Sequence, residues 1–135
     1  MKAISAPDMR PPFARYSHAV ETGPVARLLV VSGQLGVAPH DSVPEGAKAQ
    51  ADLCLANIDR LLQAGGMTRA NVLRLNAYVS DRVHMAGYMA ARDAWVDGLS
   101  VLPASTLMIV SGFTRPEFVV EIEALAASTQ PESPK

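Results

Sequence analysis

The chain has almost no cysteine, few aromatic residues and no surplus of charge of either sign. Its one cysteine, Cys54, excludes an internal disulfide and points to a reducing compartment. The 12 Lys+Arg against 13 Asp+Glu leave a formal net charge of −1, and no window gathers basic residues with interleaved aromatics. A nucleic-acid surface needs several phosphate-neutralising cations together, so no nucleic-acid partner is expected. No run of 18 apolar residues occurs, and Met1 to Pro7 lacks the apolar stretch of a signal peptide. Neither a membrane span nor export is therefore expected, and the cytoplasm is the natural location. His18, His40 and His84 have no metal-ligand spacing, so no metal is expected, and no other cofactor is called for.

What is present is a globular composition, 49% hydrophobic and 19% charged. A chain of 135 residues fits one domain that buries roughly 65–70% of its unfolded surface. That domain is expected over residues 1–127, with 128–135, polar and bearing two prolines, as a flexible tail. Lys2 to Ser5 reads as a short edge strand. Tyr16 to Thr22 and Arg27 to Ser32, separated by Gly23-Pro24, read as a hairpin. From Gly46 the period changes: Ala47, Ala51, Cys54, Leu55, Ile58, Leu61 and Leu62 form one face of a helix closed by Gly65-Gly66.

Val72 to Ser80 returns to period two, with Leu73, Leu75, Ala77 and Val79 on one face and Arg74, Asn76 and Tyr78 on the other. Asp81 is a suitable N-cap for a second helix carrying Met85, Tyr88, Met89, Arg92, Trp95 and Val96 before Gly98. Leu107 to Val110 and Phe118 to Ala126 read as the last strands, separated by a turn over Gly112 to Pro116. In the final strand Glu121 and Glu123 share one face, opposite Val120, Ile122 and Ala124.

Two helices with one apolar stripe each cover one face of a mixed sheet. The other face would carry Arg74, Asn76, Tyr78, Glu121 and Glu123, but also Val119 and Leu125. A half-apolar face on a small α+β domain suggests self-association.

Five segments in order resemble the Rid family (reactive intermediate deaminases, also called YjgF or endoribonuclease L-PSP). They are Tyr16-Ser17-His18-Ala19-Val20, Val30-Val31-Ser32-Gly33-Gln34, Ala64-Gly65-Gly66, Ala77-Tyr78-Val79-Ser80-Asp81 and Val120-Glu121-Ile122-Glu123-Ala124. The resemblance implies a chorismate-mutase-like α+β subunit, a homotrimer with a central barrel, and small-molecule clefts between subunits. It also implies hydrolytic enamine or imine deamination, in which a glutamate of the last strand places the attacking water. By position that catalytic glutamate is Glu121, the cleft tyrosine is Tyr16, and Ser32 and Gly33 fall at the strand-end position. The family's Pro-Ala-Arg-Ser segment reads Pro103-Ala104-Ser105-Thr106 here, followed by Leu107 where a cysteine often stands. Ser105 thus replaces the arginine that clamps the substrate carboxylate, and Met89 replaces a common asparagine of the second helix.

The missing arginine leaves the chemistry open. An arginine fork binds a carboxylate bidentately, and each charge-assisted bond contributes about 1.5–3 kcal/mol, which a serine hydroxyl does not match. Ser105, Thr106 and Leu107 are expected to line the ligand site, with Arg74 and Arg115 the candidates for a displaced cation. Three classes follow: a hydrolase of altered specificity, a non-catalytic ligand-binding or sensing module, and, last, the ribonuclease or translation inhibitor of some relatives' labels. Glu123 is expected to be structural and Cys54 to lie in the core.

Overall fold

The computed structural model describes residues 1–132. Helix α1, Ala47–Ala64, forms where the apolar stripe predicts it, with Ala51, Cys54, Leu55, Ile58 and Leu62 at most 2% exposed. It ends where the Gly65 N–H bonds the Leu61 carbonyl and Gly66 turns into the left-handed region at φ +70°. Asp81 caps a short 3-10 turn over Arg82–His84, its carboxylate accepting the Val83 N–H at 2.9 Å, and α2 follows as Met85–Val96. The helices cross closely at Gly87, where a Cβ would lie 2.9 Å from the Lys48 nitrogen.

Among the described residues six strands accompany them: β1 Lys2–Ile4, β2 Ala19–Glu21, β3 Arg27–Leu35, β4 Val72–Val79, β5 Ala104–Ile109 and β6 Val120–Ser128. The main sheet has the order β3-β6-β4-β5, antiparallel except for the β4–β5 pair. The α1 helix lies on β3 and β6, and α2 packs on α1 in one core with the sheet. Leu75, Ala77 and Val79 of β4 and Val120, Ile122 and Ala124 of β6 enter that core. This is the α+β arrangement expected from the two single-striped helices. The opposite face is open: Val30 is 72% exposed and Met108 51%. Among the described residues no helix is long and apolar enough to cross a membrane.

Three boundaries differ from expectation. The hairpin of Tyr16 to Thr22 with Arg27 to Ser32 does not form. Only Ala19–Glu21 is extended, and it pairs with β1, while β3 pairs with β6. Pro24 supplies no N–H where a hairpin ladder would close, and the nine residues of β6 match the length of β3. Strand β5 starts at Ala104, because parallel pairing with β4 begins at Arg74↔Ala104. Strand β6 starts at Val120 and extends through Ser128, which pairs with Arg27 and is 8% exposed. Ser128 therefore belongs to the sheet and not to the expected tail, whose last three residues, 133–135, lie outside the described residues.

Candidate functional site

Seven residues were singled out from the sequence, and the fold sorts them into two groups. Tyr16, Ser105, Thr106 and Leu107 line one cavity of about 380 Å³, together with Phe13, Ala14, Met85, Met89 and Arg92. Backbone pairing brings Tyr16 there. The Ser17 N–H bonds the Pro103 carbonyl at 3.0 Å, its hydroxyl donates to the Leu102 carbonyl at 2.6 Å, and Ser17 bridges to Ala104. The segment before β2 is thereby pinned to the start of β5, a separation of some 85 residues that no local pattern encodes.

The second group, Ser32, Gly33 and Glu121, lies on the open face. Strand β3 has an irregularity between Val31 and Gln34, and there Gly33 lies directly over the Glu121 carboxylate. A Cβ on Gly33 would be 2.6 Å from Glu121 Oε1, so only glycine leaves the carboxylate in place. Burial, and then the neighbouring Glu123, push the Glu121 carboxyl above the usual carboxylate range. Glu123 has its own partners: the Tyr78 hydroxyl donates to it in a short bond, and the Asn76 amide donates at 3.4 Å. Its hydrogen bonds tie β6 to β4. That bond to Glu123, ahead of burial, raises the Tyr78 hydroxyl pKa.

Register shows that Ser105 and Leu107 point away from Glu121, while Thr106, opposite Asn76, is on the open side. Ser105 is opposite Leu75 and Leu107 opposite Ala77, on the helix-covered side, whereas Glu121 is opposite Tyr78 on the open side. Strands β5 and β6 flank β4, so Glu121 is also about 10 Å across the sheet from the edge strand. Within one chain, Glu121 and Ser105 do not face a common volume.

Neither expected cation reaches the cavity. Arg74 donates to the Asn76 side chain at 2.9 Å and to the Thr106 hydroxyl at 3.4 Å. Arg115 binds Asp41 at 3.1 Å and Glu117 at 2.8 Å, closing a surface loop. The arginine that does line the cavity is Arg92 of α2, 3% exposed. Its Nε donates to Asp93 at 2.9 Å, and its buried Nη2 has no partner. The neighbouring Tyr88 hydroxyl is also buried and unpartnered. Burial raises that hydroxyl's pKa, while Arg92 and Ser105 beside it pull in the opposite direction. The one signal in the sequence was a charged residue on the apolar stripe of α2, a placement arginine rarely adopts without a partner.

Two other hollows are lined by side chains that are paired with their own neighbours. One, about 260 Å³, contains the Arg69–Asp59 pair at 2.8 Å with the Trp95 indole donating to Asp59. The other, about 620 Å³, is bridged by Arg27, which donates to the Gly65 carbonyl at 2.6 Å. Cys54 is wholly buried, and burial pushes its thiol to about 12, removing it from nucleophilic chemistry.

Comparison with known proteins converges on one group. The family model described as endoribonuclease L-PSP matches residues 7–128. A RutC family protein of Aquifex aeolicus is 30% identical over 105 residues, covering 77% of this chain and 82% of its own. The 2-iminobutanoate/2-iminopropanoate deaminase of Mus musculus is 30% identical over 127 residues, 93% of this chain and 90% of its own. The crystal structure of the Rid-family protein YyfB from Yersinia pestis superposes with a TM-score of 0.82 at 32% identity, covering 94% of this chain and 98% of that one.

Proposed function

The chain belongs to the endoribonuclease L-PSP family, the Rid or YjgF proteins, and from that premise we propose a homotrimer that binds a small imine- or carbonyl-bearing metabolite between subunits and hydrolyses it. The observation that carries this reading is the division of the site. The cavity at the β5 edge and the Glu121 carboxyl lie on opposite sides of the sheet in one chain. A single cleft containing both requires the partner subunit's Glu121. The half-apolar open face, with Val30 and Met108 in water, is the surface that association would cover.

The chemistry follows from the raised carboxyl of Glu121. Holding its proton more firmly than an ordinary carboxyl, it can protonate the imine nitrogen and become the base for water. The water oxygen then bonds the imine carbon while its proton returns to Glu121. The resulting carbinolamine transfers the hydroxyl proton to nitrogen through the same carboxyl and breaks its C–N bond, releasing ammonia and the carbonyl product. No cofactor is needed for these steps. The mouse relative's activity on 2-iminobutanoate and 2-iminopropanoate makes small 2-imino acids the first substrates to test.

The test is ammonia release from freshly generated 2-iminopropanoate. The reading expects acceleration by the wild-type protein and loss of it in Glu121→Ala. Ligand binding without acceleration would instead establish a non-catalytic module. Neither turnover nor binding would end the proposal.

A further inference from the structure

The family's carboxylate clamp is absent from β5, yet the cavity beside Ser105 is not without a cation. We infer that Arg92, delivered from α2, is the group that receives the ligand's negative charge, so that the anion site has moved from the strand to the helix. This rests on the reading of the cavity as a small-metabolite site and names the residue that sets its specificity.

Three features of the structure carry it. Arg92 lines the cavity together with Ser105, which is on the helix-covered side of β5, so cation and hydroxyl share one volume, while the Thr106 hydroxyl accepts from Arg74 on the open side. It is 3% exposed, and its one ion pair, Nε to Asp93 at 2.9 Å, leaves Nη2 buried with nothing to donate to. A structural arginine buried to this degree is normally satisfied at every nitrogen, because an unpaired donor forfeits its hydration. A second orphan, the Tyr88 hydroxyl, lies against it: the guanidinium carbon is 5.6 Å from the Tyr88 ring centre. An unpartnered guanidinium nitrogen on the wall of an open volume is a receptor for an acceptor-rich group.

The alternatives for that role are committed elsewhere. Arg74 is engaged by Asn76 and Thr106, and Arg115 by Asp41 and Glu117. The remaining wall is apolar, from Met85, Met89 and Leu107. The ligand that fits is a small carboxylate with a short apolar substituent and a planar reacting carbon.

Pyruvate, the product of 2-iminopropanoate hydrolysis, and pyruvamide, its neutral isostere, separate charge recognition from shape. Binding of each is measured by calorimetric titration, with the melting temperature of every unliganded variant as the folding control. Wild-type protein is expected to prefer pyruvate. Arg92→Met is expected to bind pyruvate about tenfold to a hundredfold more weakly, leave pyruvamide unchanged, and melt no lower than wild type. Should the methionine variant not fold, Arg92→Gln gives the same readout with a polar side chain in place. Adding Ser105→Arg to either variant is expected to restore the preference for pyruvate from the strand side.

A variant at position 92 that retains the full preference, or a wild-type protein that binds both probes equally, overturns the inference while the metabolite site stands. Failure of wild-type protein to bind either probe removes that site and the inference together.

Discussion

Replacing Gln50 with leucine tests how the position of Glu121 is fixed. Gln50 is 1% exposed although it belongs to the first turn of α1. Its amide nitrogen donates to the Pro44 carbonyl at 3.0 Å and the Glu117 carbonyl at 2.8 Å, and its oxygen accepts the Val119 N–H at 2.9 Å. One side chain therefore joins the loop before α1 to the segment that enters β6, two residues before Glu121. Leucine fills nearly the same volume, so the change removes hydrogen bonds with little change in packing. Each buried backbone group left unpaired costs about 1–3 kcal/mol, with the lower end for Pro44 and Glu117, whose surroundings admit water. The sum is about 3–5 kcal/mol, which for a chain of this length is a fall in Tm of about 10–18 °C. Thermal unfolding followed by far-UV circular dichroism at fixed protein concentration reads it directly. A shift smaller than about 2 °C would refute the reasoning, since it would mean that water satisfies all three groups as well as Gln50 does.

Gly33→Ala places a methyl 2.6 Å from Glu121 Oε1 and is expected to swing the carboxyl aside; turnover of 2-iminopropanoate should fall about 10–100-fold with little change in Tm. Glu121→Gln probes the raised carboxyl through stability. A carboxyl that keeps its proton longer in the folded state contributes stability that is complete below the ordinary carboxylate range and lost as pH rises through its raised value. The Tm of Glu121→Gln relative to wild type should therefore climb from acid toward neutral pH; a pH-independent difference would show that burial and Glu123 do not act on Glu121 as described.

The regular elements were legible because their periods were. The stripe from Ala47 to Leu62 and the alternation of β4 and β6 depend on local spacing, and they mark the buried faces except at Leu61, which is exposed, and Leu73, which is half-buried where the β4 register shifts between Val72 and Arg74. The pairing of β2 was not legible. A Gly-Pro turn between two strand-like segments specifies a reversal of the chain, but not which neighbour each strand takes. The site was half legible. The resemblance to the family named Glu121, Tyr16 and Ser105, while their separation onto two faces follows from the order β3-β6-β4-β5, which no single segment contains. Arg92 was hidden for the opposite reason. Its spacing fits the helix, and the cavity it lines forms only when Phe13 to Tyr16 come across to the β5 edge.

The central claim is that each cleft draws its cavity from one subunit and its carboxyl from the next. It is tested by mixing two impaired proteins, Arg92→Met and Glu121→Gln, dissociating and reassembling them at equal concentration, and measuring ammonia release from 2-iminopropanoate at a concentration too low for Arg92→Met to bind it. Random reassembly of a cyclic trimer gives about one cleft in four an intact Arg92 from one chain and an intact Glu121 from its neighbour. The account predicts recovery to about a quarter of wild-type activity. A mixture no more active than its components, with subunit exchange verified by mass spectrometry, would place both residues in the site of a single chain and contradict it.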